Sequence, residues 1–182
     1  MTTPEFAPFD LDRIVDAFAV HDVRYVVIGG TSGLLHGAVE HVTRDVDVLI
    51  RSDRDNRLRL ANALTDLGAV SDHPIDADDF VGNTQWETDS GDVDVLVTAT
   101  GPAETILVFA DIEPGALIIE IASGRLVPTA SLDDIIRMKE AVSRQKDLDA
   151  LPELRRLRGD AHPERAAIVD PFAFDIEYGA DD

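Results

Sequence analysis

The stretch "VVIGGTSGLLHGAVEHVTRDVDVLI", residues 26–50, carries the reading of the whole chain. An apolar run ends at Gly29 and Gly30, Thr31 and Ser32 follow, and a second apolar run holds Asp45 and Asp47 one residue apart. In a β-strand, residues i and i+2 project to the same face, so Asp45 and Asp47 point together while Val46 and Val48 point into a core. Two carboxylates at that spacing repel and raise each other's pKa unless a cation sits between them. Hard oxygen ligands of this kind suit Mg²⁺ or Mn²⁺, which keep sites free for water and substrate phosphates.

A third acid, Asp94 in "VDVLV", is also embedded in an apolar run, with Asp92 as its same-face neighbour. Acids on adjacent strands can bridge two metal ions about 3.5–4 Å apart, the arrangement used for in-line phosphoryl or nucleotidyl displacement. A lone aspartate at a strand end is more often a solvated edge residue; the joint pattern is what points to a metal. Gly29 and Gly30, ending a buried strand and followed by Thr31 and Ser32 opening a helix, allow close backbone approach and aim free N–H groups at an anion. The segment is not the G-x-G-x-x-G dinucleotide fingerprint and lacks the Gly-Lys-Ser/Thr of a P-loop.

Working outward, "LDRIVDAFAVHDV" carries an amphipathic helix capped by Asp10, and "RYVVIGG" is a buried strand ended by its glycine pair. "DRDNRLRLANALTDLGA" is a helix ending at Gly68, and "SDHPIDADDF" is a polar loop. "TQWET" and "DVDVLVTA" flank the turn-forming "DSG" and predict a hairpin. A short helix starts at Pro102, and "ALIIEIASGRLVPTA" predicts a strand pair turning at Ser123 and Gly124. From Ser131 the pattern is helical, and a second helix is expected over about 149–158 with Pro152 in its first turn. Lys139 and Lys146, the only lysines, lie seven residues apart, which places both on one side of a continuous helix. Arg137 and Arg144 repeat that offset. The alternative reading of these four cations is surface pairing with Asp133, Asp134, Glu140 and Asp147.

The chain of 182 residues is long enough for a sizeable core and carries a net charge of −20. It has no cysteine, which removes disulfides, zinc-thiolate sites and thiol catalysis together. Its five histidines show no metal-ligand spacing. No apolar run approaches a membrane span, and the N-terminal "MTTPEFAPFDLDR" has neither a basic region nor an apolar stretch, so a cytoplasmic protein without a secretory signal is expected. The acidity opposes binding to nucleic acid and anionic membranes unless the bases cluster. They do: no Lys or Arg lies between Leu60 and Gly124, where thirteen Asp and Glu fall, and half of the sixteen bases lie from Arg137 to Arg165.

Taken together, Ile28-Gly29-Gly30, Asp45-Val46-Asp47 and Val93-Asp94-Val95 resemble the signature of the DNA polymerase β-like nucleotidyltransferases. The resemblance runs from about Leu11 to Leu157. Within that superfamily, "HG" before "TRDVDVLI" and "SLDDIIRMKEAVSRQKDLDALPEL" look most like the AbiEii/MenT group of toxin-type nucleotidyltransferases. At one position, two residues before Thr43, relatives often carry Arg where this chain has His41. The resemblance implies an α+β fold: a nucleotidyltransferase core of mixed sheet flanked by helices over 1–130, C-terminal helices completing the active site over 131–159, and an acidic tail over 160–182, surface-packed or disordered.

It further implies transfer of NMP from an NTP to an acceptor. Asp45, Asp47 and Asp94 would hold Mg²⁺ or Mn²⁺ and supply catalysis. Gly29, Gly30, Ser32, Lys139 and Lys146 would bind the nucleotide. Three functions compete. The first is a toxin that modifies tRNA, docked through Arg155, Arg156 and Arg158 and controlled by a cognate antitoxin. The second is an antibiotic nucleotidyltransferase, whose cationic substrate would suit the base-free stretch and acids such as Asp76, Asp78 and Asp79. The third is a catalytically inactive binding module, against which the intact aspartates argue.

Overall fold

The structure, a computed structural model, describes residues 9–39, 43 and 45–160. Of the acidic tail expected over 160–182, Asp160 ends a helix and the rest lies outside the described residues, as does His41.

Helix α1 (Leu11–Val20) starts where Asp10 accepts a hydrogen bond from the Arg13 N–H at 3.0 Å. It buries Leu11, Ile14, Val15 and Phe18. Strand β1 (Tyr25–Ile28) is buried at every position, as its unbroken apolar run requires for a strand covered on both faces. Helix α2 (Gly29–Leu35) follows without a loop, and β2 (Asp45–Ile50) returns antiparallel to β1, pairing Ile28 with Asp47. Helix α3 (Arg54–Asp66) is capped by the Asp53 carboxylate.

The expected hairpin is present as β3 (Thr84–Thr88) and β4 (Gly91–Leu96). A ribbon of β5 (Ala99–Thr100) and β6 (Ile106–Leu107) precedes the short helix α4 (Phe109–Ile112). The second expected strand pair is β7 (Leu117–Glu120) and β8 (Leu126–Thr129). The chain then forms α5 (Leu132–Val142), capped by Ser131, and α6 (Gln145–Asp160).

Six strands form one mixed sheet in the order β3-β4-β2-β1-β8-β7. β2 runs parallel to β4, and β1 parallel to β8, while the remaining neighbours are antiparallel. The α+β expectation therefore holds. On one face α1 and α3 pack Phe18, Leu60 and Leu64 against Val46, Val48, Val93 and Val95. On the other, Ile135, Ile136, Leu151 and Leu154 of α5 and α6 cluster with Val26, Ile28 and Leu49. Asp45 and Asp47 share the parity of Leu49, so the pleat aims them at the side occupied by the C-terminal helices.

Four local expectations are corrected. Helix α2 begins at Gly29, so Thr31 and Ser32 lie inside it. The polar loop contains a 3-10 turn, Ala77–Phe80, whose Phe80 is fully buried. The helix expected from Pro102 is a single 3-10 turn, Pro102–Glu104.

The fourth correction matters most. The helix from Ser131 is not continuous through Lys146: Ser143 adopts a left-handed conformation, φ +55°, and ends α5. α6 then starts earlier than expected and carries Pro152 in its interior rather than its first turn. Burial of Ala150, Leu151 and Leu154 on the sheet outweighs the hydrogen bond that proline cannot donate.

A serine in the left-handed region is less favourable than glycine there. Ser143→Gly is expected to stabilise the protein by about 0.5–1 kcal/mol, seen as a melting temperature raised by a few degrees.

Candidate active site

The site is built where β1 ends against β2. Gly29 has φ +66°, and a Cβ placed on it would come within 1.9 Å of Asp47 Oδ2. Only glycine fits both the conformation and the space. The turn lets the Gly30 N–H donate to the Asp47 carboxylate. Asp45 is fixed twice: its carboxylate accepts from the Thr43 hydroxyl, and its backbone carbonyl accepts from Thr31 Oγ1 at 2.7 Å.

The parallel register sets Asp45 beside Asp92 and Asp47 beside Asp94. The electrostatic consequence is strong. Burial, then Asp45 and Asp94, push the Asp47 carboxyl up to about 6, against the opposing pull of the Gly30 N–H and Lys146. Burial, with Asp45 and Asp92, also raises the Asp94 carboxyl, again opposed by Lys146. Asp94 Oδ1 is buried and accepts no hydrogen bond among the described residues. An acceptor left unsatisfied beside two further carboxylates is the chemistry of an oxygen-liganded cation site. Among the described residues no group of three or more His, Cys, Asp or Glu is placed so that it could hold a metal ion by itself.

A cavity of about 780 Å³ opens over these groups. Seven of the eight expected catalytic and nucleotide-binding residues line it: Gly29, Gly30, Asp45, Asp47, Asp94, Lys139 and Lys146. Ser32 does not; it is fully buried, and its hydroxyl donates to the Gly29 carbonyl at 2.8 Å, stiffening the turn from behind. Arg155, Arg156 and Arg158 are also off the wall. Arg155 pairs with Glu140 at 2.7 Å and Arg158 with Asp133 at 3.2 Å. Asp76, Asp78 and Asp79 are likewise elsewhere: Asp76 caps its own 3-10 turn, and Asp79 pairs with His73 at 2.8 Å.

Arg144 and Asp147 carry more than the sequence suggested. The break at Ser143 brings Lys139 of α5 and Arg144 from the connection onto Asp147 of α6, at 3.1 and 2.7 Å. Burial pushes the Asp147 carboxyl up, but hydrogen bonds from Arg144 and Lys139 prevail and hold it below the usual carboxylate range. All three residues line the cavity. Pairing of these cations with nearby acids was the alternative sequence reading, and Lys139 and Arg144 with Asp147, like Arg137 with Asp134 at 2.7 Å, follow it; the Lys139 contact requires the helix break. Asn83, Thr98, Thr100, Glu104 and Thr105 also line the cavity; the sequence marked them only as part of the base-free stretch from Leu60 to Gly124.

No family model and no curated protein matches the chain. Solved structures do. The lincomycin-bound crystal structure of the lincosamide antibiotic adenylyltransferase LnuA is similar at a TM-score of 0.57 and 17% identity, covering 82% of this chain and 99% of that one. The solution structure of the antibiotic-resistance factor ANT(2'')-Ia is similar at a TM-score of 0.51 and 17% identity, over 81% and 86% of the two chains. A protein from Thermotoga maritima proposed to be a nucleotidyltransferase gives a TM-score of 0.50 and 17% identity, over 83% and 91%. The chain has a nucleotidyltransferase fold. The sheet with its flanking and C-terminal helices matches that fold, and the three aspartates occupy one wall of the cavity it encloses.

Within this nucleotidyltransferase fold the raised Asp47 carboxyl links stability to pH. The folded state holds this proton more tightly than the unfolded chain, whose carboxyl titrates near 4. Stability is therefore expected to fall as pH rises from about 4 to about 6, with the full cost of about 3 kcal/mol present above that. In metal-free protein, Asp47→Asn should melt higher than wild type at pH 7.5, and the gap should close towards pH 4. Asp147→Asn should do the reverse at pH 7.5, lowering stability by roughly 3 kcal/mol, because it leaves Lys139 without its buried partner.

Proposed function

We propose that the protein is a metal-dependent nucleotidyltransferase that transfers NMP from an NTP to a hydroxyl-bearing acceptor. The observation that carries this reading is the shared cavity: Asp45, Asp47 and Asp94 on one wall, with Lys139, Arg144 and Lys146 supplied by the C-terminal helices and their connection. The orphaned Asp94 oxygen supports a cation at the carboxylates, so Asp45, Asp47 and Asp94 would hold Mg²⁺ or Mn²⁺. Bound there, the ion would neutralise phosphate charge and favour ionisation of the attacking hydroxyl.

The chain's own residues supply the rest. Lys139, Arg144 and Lys146 attract the triphosphate, and the turn at Gly29 and Gly30 leaves room for it against the backbone. The acceptor oxygen forms a bond to the α-phosphorus as the bond to the bridging oxygen breaks, and pyrophosphate leaves with that electron pair. The hydroxyl proton passes to the Asp94 carboxylate, whose raised pKa suits it to accept one.

A small acceptor fits the geometry better than RNA. Part of the cavity lining, from Asn83 to Ile106, comes from the base-free stretch, and the proposed docking arginines are off the cavity, two of them paired to acids. Two of the similar structures are an antibiotic adenylyltransferase and an antibiotic-resistance factor, which is in keeping with this choice. The tRNA-modifying toxin with a cognate antitoxin, suggested by the subfamily resemblance, is the second reading. It keeps one observation in its favour: Arg155, Arg156 and Arg158 are all exposed near the end of α6.

Mg²⁺ with a saturating NTP should raise the melting temperature by roughly 5–10 °C, as expected for ligand at about a hundred times its Kd. Asp47→Asn should abolish that rise. An undiminished rise in the variant would place the nucleotide elsewhere. Labelled NTPs offered with an aminoglycoside panel and with total RNA should label the small molecules. RNA labelling that disappears in the Arg155, Arg156 and Arg158 triple-alanine protein would move the toxin reading ahead.

A further inference from the structure

Strand β7 forms one margin of the six-stranded sheet, and no strand lies beyond it among the described residues. Next to the turn that joins it to β8, the Ile121 N–H donates to the Arg125 carbonyl at 2.9 Å. Hydrogen-bonded pairs alternate along an antiparallel ladder, so Ile119 and Leu117 bond to Val127 and Thr129, while Ile118 and Glu120 turn their N–H and C=O groups outward. Pro128, opposite Ile118, has no N–H to donate and fits that phase.

This edge is apolar as well as open. Leu117, Ile118 and Leu126 are 51%, 59% and 61% exposed. Ile118 lies opposite Pro128, and Leu126 is two residues from Pro128, so Ile118 and Leu126 share one face. Exposed edges usually carry lysine, proline or a bulge that prevents further pairing. β7 has neither lysine nor proline, and its register with β8 is unbroken. The other margin differs: β3 presents exposed Gln85 and Glu87, and the Val70 N–H already donates to the Glu87 carbonyl at 2.9 Å.

The sequence supplies a fitting strand. Phe172, Phe174, Ile176 and Tyr178 alternate with Ala173, Asp175 and Glu177, between Pro171 and Gly179. A period of two places three aromatic rings and an isoleucine, all good strand formers, on one face. Its attachment point agrees. Arg158, close to the end of α6, pairs with Asp133 at 3.2 Å, and Asp133 follows by four residues Thr129, the partner of Leu117. The chain therefore leaves α6 on the side of the Leu117 end of β7, and residues 161–170 can span up to about 33 Å.

From this we infer that residues 172–178 of this chain add to the sheet as a further strand on the outer edge of β7, with Phe172, Phe174, Ile176 and Tyr178 on the face of Ile118 and Leu126. Their backbone groups pair with the outward N–H and C=O of Ile118 and Glu120, as in other cases of strand addition to an open edge. No residue of β7 or β8 lines the cavity, so docking there leaves it open and needs neither metal nor nucleotide.

The test is amide hydrogen exchange of the full chain, read residue by residue by NMR, in wild type and in the Phe174→Asp, Ile176→Asp double variant. In wild type the Ile118 and Glu120 amides should exchange at least about tenfold more slowly than in the variant. The Ile119 amide, bonded to β8, should be equally protected in both, which shows that the sheet itself is intact. Light scattering should find wild type monomeric at the same concentration.

Fast exchange at Ile118 and Glu120 in wild type, or protection there that survives the double variant, overturns the assignment. So does protection that belongs to a dimer and is lost on dilution, which gives the edge to a second copy. Should the double variant also lose protection at Ile119, a nitroxide on Glu177→Cys decides, since the chain has no other cysteine. Broadening of the Ile118 and Glu120 resonances in the monomer supports the docked strand, and sharp resonances overturn it.

Discussion

The contact between Gly29 and the Asp47 carboxylate is the constraint around which the site is arranged. Asp47 Oδ2 occupies the space a side chain at position 29 would need, so the backbone of the turn packs directly on a partly buried negative charge. That approach is possible because β1 pairs antiparallel with β2 and sets Ile28 opposite Asp47. The chain leaves the strand in a left-handed step and enters α2 at once, turning the Gly30 N–H onto the same carboxylate. Strand register, turn and charge are thus one arrangement.

The carboxylates are costly to hold in that place. Burial and mutual repulsion raise Asp47 and Asp94, and one Asp94 oxygen has no partner among the described residues. A fold that keeps such groups together sacrifices stability for electrostatic potential, the usual balance at sites that bind cations or transfer protons. The apolar sandwich around them supplies the compensation. Val46, Val48, Val93 and Val95 alternate with the acids and are fully buried against α1 and α3.

The cations reach the site by a different route. α5 and α6 pack through Ile135, Ile136, Leu151 and Leu154 onto the face where the acids emerge. The left-handed Ser143 between them turns the chain so that Lys139 and Arg144 converge on Asp147. Asp147 thereby holds positive charge at the cavity without neutralising Lys146, whose field acts on both Asp47 and Asp94.

Much of this was legible in the sequence, for a simple reason: a strand's period of two forces Asp45 with Asp47, and Asp92 with Asp94, onto common faces whatever the fold. Caps at Asp10 and Ser131, the hairpin at "DSG" and the core valines follow from equally local rules. What local rules cannot fix is which separate segments meet. The parallel pairing of β2 with β4 decides that Asp94 joins Asp47, and the break at Ser143 decides that Asp147 meets Lys139. Ser32 fits an anion-binding pattern by spacing, yet it is buried behind the turn because α2 starts three residues before it. Arg155 and Arg158 look like a free basic cluster in one dimension, and acids from α5 answer them in three. Glu104 was invisible because nothing in "GPAET" marks a residue as lining a cavity; packing of the β5–β6 turn against α5 puts it there.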